Sequence, residues 1–388
     1  MIKILSKLFI KDHTDYSNPA VRSAYGKLCG GFGIFLNICL FIGKLSAGLL
    51  SNSIAIIADA LNNLSDAASS AITLIGFKIS EQKPDKDHPY GHGRVEYIAG
   101  LLISIAIVFM GFELIKSSID KIMHPQALSC DLIAIVILIL SILVKIYMFF
   151  YNRSIGKKIE SVVMSATAMD SLSDTVATSV VLISTLVFQF TGLNVDAYCG
   201  VLVGLFILYS GCNAAKETIS PLLGQPPKPE FVDQIKDLVM AHEEILGIHD
   251  LIVHDYGPGR VMVSLHAEVD SNGNIMEIHD LIDRIEHEIS SQCSCQAVIH
   301  MDPILVNDPY TDELKEKIIQ IIADLDPEIS FHDFRVVKGP THTNVIFDIL
   351  LPFDYKYTDE FVLNYINKKI SRLDGDMHGV ISIDKGTL

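Results

Sequence analysis

Over the first half of the chain, long apolar runs alternate with short polar links. Six runs come close to the length of about 20 residues that crosses a bilayer as a helix. They fall at roughly 29–50, 54–77, 96–118, 130–151, 161–189 and 195–213. The third (YIAGLLISIAIVFMGFELI) and the fourth (DLIAIVILILSILVKIYMFF) are the clearest. Beyond them the pattern shortens, and it occurs twice. HDLIVHDYGPGRVMVSLHAEVD (249–270) resembles HDFRVVKGPTHTNVIFDILLPFD (332–354), with one residue fewer before the Gly-Pro in the second. An amphipathic stretch precedes each copy (PEFVDQIKDLVMAH and TDELKEKIIQIIADL). Another follows it (MEIHDLIDRIEHEIS and DEFVLNYINKKISRL), and then a short apolar strand (AVIHMD and GVISID). Both copies read α-β-β-α-β, a small sheet covered by helices on one face.

The pattern predicts a polytopic α-helical membrane protein with six transmembrane helices, followed by cytoplasmic α/β domains of ferredoxin-like α-β-β-α-β topology in tandem. The expected boundaries are an N-terminal cytoplasmic amphipathic segment at 1–24, a six-helix membrane domain at 25–215, a first α/β domain at 216–305 and a second repeat of unknown role at 306–388.

Composition agrees with a membrane protein. A mean hydropathy of +0.37 with 49% hydrophobic residues is too apolar for an ordinary soluble chain. MIKILSKLFIKD is not read as a signal peptide, because Lys7 and Lys11 interrupt a short apolar stretch. It fits a segment lying at the membrane surface. Of the links after spans one, three and five, SNS (51–53) and TGLN (191–194) have no basic residue and the third has Lys121. Arg22, Lys27, Lys78, Lys83, Lys86, Arg94, Arg153, Lys157 and Lys158 lie on the opposite side, which places both termini in the cytoplasm.

The formal charge of −16 is unevenly spread. Residues 1–212 hold 16 Lys and Arg against 15 Asp and Glu, whereas 213–388 hold 14 against 31. An acidic, soluble tail argues against nucleic acid and anionic lipid as its partners. Cys29, Cys39, Cys199 and Cys212 lie in or beside spans, and Cys130 begins one. Cys293 and Cys295 form CSC in the tail, and two ordinary cysteines are the preferred reading over a metal pair.

Acids inside two spans raise the chemical question. Span two contains DALNNLSD (59–66) and span five DSLSD (170–174). Ionised carboxylates are costly in hydrocarbon. Asn62 and Asp66 are spaced i,i+4 on one helical face, and Asp170 and Asp174 repeat the spacing. If spans two and five pack together, one amide oxygen and three carboxylates converge. Asp59, one turn before Asn62, is assigned a supporting or solvated role. A buried cluster of three acids with no basic partner needs a cation.

With the DKDHPYGHGRVE link (85–96) and the HD…LH…IHMDP tail, these features resemble the cation diffusion facilitator family over residues 20–305. The resemblance implies a homodimeric antiporter of the cell (plasma) membrane that exchanges divalent metal ions for protons and exports metal from the cytosol. It implies Asn62, Asp66, Asp170 and Asp174 as transport-site ligands. It also implies a link site of Asp85, His88 and His92, for which a Gly-Pro turn with solvated histidines stays open. A cytoplasmic cluster of His249, His266, His300 and Asp302 follows, with His279 as a bridge and His254 at the surface. Zinc-exporting members usually carry His where this chain has Asn62 and Asp170. The Asn-Asp-Asp-Asp set and the N-terminal NPAVRSAYGKL look like the bacterial manganese branch.

Ligand chemistry points the same way, since hard oxygen donors suit Mn²⁺ better than Zn²⁺. The link YNRSIGKKIE between spans four and five also lacks the histidines of many zinc members. Mn²⁺ is therefore the expected substrate, with Zn²⁺ or Fe²⁺ the alternatives, and no resident cofactor is expected beyond divalent ions in the cytoplasmic domain. No G-x-x-x-x-G-K-[ST] loop or D-K-T-G motif supplies an energy source. A dication and protons compete for the same carboxylates, which is the physical basis of antiport.

Rival classes fare worse. The two His-Glu pairs fail as H-E-x-x-H protease motifs, because 246 is Leu and 291 is Ser. A membrane metal sensor would not need an intramembrane quartet. In the second repeat Asp348 aligns with His266 and Ser382 with His300; His332 and His342 remain, and no metal site is expected there.

Overall fold

The computed structural model describes all residues except 17, 51–53, 125–131, 192, 194, 328, 340, 375 and 386–388. The SNS link, Cys130 and parts of the TGLN link therefore lie outside the described residues. The chain forms two compact units: Met1–Gln225 together with Asp255–Arg260, and Pro226–His254 together with Val261–Leu388.

The first unit is helical: α1 (Ile2–Phe9), α2 (Pro19–Leu50), α3 (Ile54–Ser80), α4 (Val95–Met123), α5 (Leu132–Lys158), α6 (Val162–Thr191) and α7 (Asp196–Leu223). Five of these, α2 and α4–α7, are long and apolar enough to cross a membrane. α3, of 27 residues, is the sixth long helix and packs along α2. The helices outrun the apolar spans at several ends, because polar partners hold the extra turns. Arg22 in the first turns of α2 makes a two-pronged pair with Glu96 of α4, at 2.6 and 2.8 Å, and donates from Nε to the Ile159 carbonyl. Glu96 is fully buried and also accepts from Ser161 Oγ. α7 likewise runs past 215 to Leu223. α4 and α7 approach closely through small residues: a Cβ on Gly111 would lie 2.8 Å from the Leu208 nitrogen. The amphipathic α1 is bound to this unit, with Ile2 and Ile10 buried in its core and the Ile2 N–H donating to Tyr147 Oη.

The second unit contains α8 (Pro229–Met240), β1 (Ile245–Asp255), β2 (Val261–Asp270), α9 (Ile275–Cys293) and β3 (Gln296–Ile304). The same order recurs as α10 (Pro309–Leu325), β4 (Ser330–Lys338), β5 (Thr343–Leu351), α11 (Asp359–Ile370) and β6 (Met377–Lys385). Each copy has a three-stranded sheet with its first strand beside the second and the second beside the third. β2 pairs with β3, and β5 with β6, in parallel and at matching register: His266 lies opposite His300, as Asp348 lies opposite Ser382.

Period-two alternation builds both cores. Val263, Leu265, Ala267 and Val269 face Ile235, Leu281, Ile285 and Ile289 of the helices, and Val345, Phe347, Ile349 and Leu351 face Ile318, Val362 and Ile366. The intervening positions, including His266 and Asp348, lie on the face away from the helices.

Candidate metal centres

Asp66 of α3 and Asp170 and Asp174 of α6 are all buried and can each offer an oxygen within 4.8 Å of the others. Spans two and five do pack together. The Thr73 and Thr167 hydroxyls meet at 2.8 Å, about two turns from Asp66 and from Asp174. Asn62 is exposed one turn before Asp66, whereas its neighbour Asn63 is buried. The Asp59 side chain lies outside the described residues.

The expectation that the acids have no basic partner is corrected by α5. Lys145 Nζ donates to Asp66 Oδ2 at 2.7 Å and to Asp174 Oδ2 at 2.6 Å, with the ammonium sealed from solvent. Lys44 of α2 is also buried and close enough to act on Asp66. Three carboxylates set against the Lys145 and Lys44 ammoniums leave the cluster a net formal charge of −1, which attracts a cation. The signal was present in the sequence: a lysine in the middle of ILSILVKIYMFF is as costly in a membrane as an aspartate and demands a carboxylate.

The link folds back on itself. Asp85, His88 and His92 converge, with His88 Nδ1 and His92 Nε2 each 3.5 Å from Asp85 and the two rings 4.6 Å apart. Asp85 accepts from the His88 and Asp87 backbone N–H groups, which hold its carboxyl below the usual range.

In the second unit His249 Nε2 and His266 Nδ1 lie 3.2 and 2.8 Å from Asp302 Oδ2, and His300 Nδ1 lies 3.0 Å from Asp302 Oδ1. His249 is 2% exposed, and neither of its ring nitrogens has a hydrogen bond of good geometry. His279 does not join this group. It stands on the exposed face of α9, paired with Asp283 one turn on. His254 is exposed. Burial pushes the Cys295 thiol up to about 11 and raises Cys293 as well, so neither is poised as a thiolate ligand.

In the second repeat the structure makes a grouping that sequence alignment does not show. His332, Asp348 and Asp384 come together with Asp250 of the first repeat as a group of four ligand-type side chains. Only His342 fits the expectation, lying exposed beside His378.

Residues 32–223 match the cation efflux transmembrane domain, and 227–304 the cation efflux protein cytoplasmic domain. An uncharacterised transporter of Methanocaldococcus jannaschii is 33% identical over 69% of this chain and 94% of its own length. The manganese efflux system protein MneS of Bacillus subtilis is 30% identical over 67% of this chain and 90% of its own. The cation-efflux pump FieF of Cronobacter sakazakii is 28% identical over 69% and 89%. The chain belongs to the cation diffusion facilitator family, and it is a multi-pass membrane transporter of the cation efflux class. The residues matched to the family domains end at 304, before the second repeat.

Proposed function

We propose that this transporter is a divalent cation/proton antiporter that exports Mn²⁺ from the cytosol through Asp66, Asp170 and Asp174, with Asn62 completing an all-oxygen ligand set from its exposed side. The observation that carries the reading is the convergence of three buried carboxylates from α3 and α6 around one lysine. An oxygen-only donor set favours Mn²⁺ relative to the nitrogen-containing sites that Zn²⁺ prefers. Identity to a manganese efflux protein supports the same cargo. Zn²⁺ and Fe²⁺ are the alternative cargoes, since FieF cation-efflux pumps are similar to this chain to a comparable degree.

Lys145 gives the site a resident positive charge. Its ammonium bridges Asp66 and Asp174. An entering dication must take those oxygens from it. On release the ammonium returns, so the carboxylates are never left bare in a medium where bare charge is costly. Protons taken up by the remaining carboxylate oxygens complete the exchange.

The protein works as a homodimer in the plasma membrane with both termini cytoplasmic. The link residues and the His249–His266–His300–Asp302 group hold divalent ions on the cytosolic side. Competition between Mn²⁺ and Zn²⁺ for uptake into proteoliposomes tests the cargo. Preferential Mn²⁺ flux supports the assignment, and preferential Zn²⁺ flux replaces it with a zinc exporter.

A further inference from the structure

The residues after His249 and His332, Asp250 and Asp333, take a left-handed backbone with φ near 50°. Non-glycine residues adopt this uncommonly, aspartate more readily than most. In the second repeat a register shift follows His332 in the pairing of β4 with β5. Such an irregularity breaks the in-out alternation of a strand, so successive side chains need not point to opposite faces. Asp250 accordingly lies with His332 of the other repeat, its Oδ1 3.3 Å from the ring, while Asp333 pairs with Arg335. The His249 and His332 rings face each other at 4.7 Å across this seam.

The contents of the two halves differ. His249, His266, His300 and Asp302 offer three imidazoles and one carboxylate. At the equivalent positions of the second repeat stand His332, Asp348, Ser382 and Asp384, and Asp250 adds a third carboxylate. Asp250 Oδ1 and Asp384 Oδ2 each lie 3.3 Å from His332 Nε2, yet neither nitrogen of that ring makes a hydrogen bond of good geometry. The four ligand atoms lie within 4.8 Å of one another. His249, buried to 2% exposure, has its Nδ1 3.5 Å from Asp250 and is equally unsatisfied. Among the described residues no lysine or arginine pairs with Asp250, Asp348 or Asp384, so three carboxylates crowd together without a fixed cation.

We infer that Asp250, His332, Asp348 and Asp384 form a second cytoplasmic divalent-cation site, harder in its donors than the His249 group and shared between the two repeats. One imidazole and three carboxylates suit Mn²⁺ or a comparably hard dication better than the imidazole-rich first site does. A cation there ties β1 of one repeat to β4, β5 and β6 of the other, so this copy of the fold serves as an internal partner for the first. The inference does not depend on what the membrane unit transports.

The test counts Mn²⁺ bound by the full-length protein in detergent, by equilibrium dialysis at saturating free Mn²⁺. Wild type should bind about one ion per chain more than D348N/D384N, and H332Q should weaken binding at this site by about tenfold or more. Unchanged stoichiometry in the double variant, together with unchanged affinity in H332Q, overturns the site. If the variants lose their fold, hydrogen exchange on the wild-type chain decides. Mn²⁺ should slow exchange in residues 330–338 and 377–385; unaltered exchange in both strands also overturns it.

Discussion

Replacing Lys145 with methionine removes the ammonium and keeps an unbranched chain of similar reach. The ammonium makes two charge-assisted hydrogen bonds, at 2.7 Å to Asp66 and 2.6 Å to Asp174. Hydrogen bonds to charged groups contribute roughly 1.5–3 kcal/mol each, so the pair is worth about 3–6 kcal/mol. Removing one partner of a buried ion pair costs about 3–5 kcal/mol by independent measure, which agrees. Two consequences follow with opposite signs. The metal-free variant should be less stable by a few kcal/mol. Its affinity for Mn²⁺ should rise, because the ion no longer has to displace the ammonium. Recovering even ~3 kcal/mol tightens binding by roughly 100-fold, at 1.4 kcal/mol per factor of ten. Protons that neutralise the exposed carboxylates trim this gain as the pH falls. The assay is thermal unfolding in detergent with and without Mn²⁺, paired with Mn²⁺ titration calorimetry. K145M should unfold at lower temperature without metal and gain more from Mn²⁺ than wild type does. Equal affinity and equal metal-free stability would refute the competition between lysine and metal.

Asp66→Ala or Asp174→Ala should abolish Mn²⁺ flux while size-exclusion profiles stay those of the folded dimer; wild-type flux in either would move the path elsewhere. Asn62→His adds an imidazole to an oxygen set and should raise Zn²⁺ transport relative to Mn²⁺ in a competition assay, whereas an unaltered ratio would show that Asn62 does not contact the ion. Arg22→Ala leaves Glu96 buried and unpaired and should cost about 3–5 kcal/mol in thermal or denaturant unfolding, with Arg22→Lys a poor substitute for the two-pronged contact. The Cys295 thiol, held at about 11, should alkylate slowly at neutral pH and faster as the pH rises toward that value, because the thiolate is the reacting form; fast labelling at pH 7 would contradict its buried setting.

The helical half was legible because apolar runs of membrane length have few other uses, and the repeat because period-two strands between amphipathic helices define a sheet with one covered face. The acids of spans two and five were legible through their spacing. A lysine within an apolar span signalled that Lys145 needs a carboxylate, but which acids it meets was not legible, because only the packing of the helices brings it to Asp66 of α3 and Asp174 of α6. The ligand group of the second repeat escaped for a related reason. Position-by-position alignment compares His266 with Asp348 and counts a loss, yet Asp348 is itself a metal-ligand type. Asp250, its fourth member, comes from the other copy through a left-handed residue that no periodicity signals. His279 lies on the solvent face of α9 beside Asp283, apart from the His249 group of its own chain, which its sequence context did not reveal.

The claim that this chain exchanges metal for protons is tested most directly by Mn²⁺ flux in proteoliposomes under an imposed pH gradient, with the membrane potential clamped. A proton gradient directed against Mn²⁺ movement should drive Mn²⁺ up its own concentration gradient, and Asp174→Ala should remove that accumulation. Mn²⁺ that merely equilibrates, at a rate indifferent to the pH difference, would contradict antiport and leave a passive facilitator.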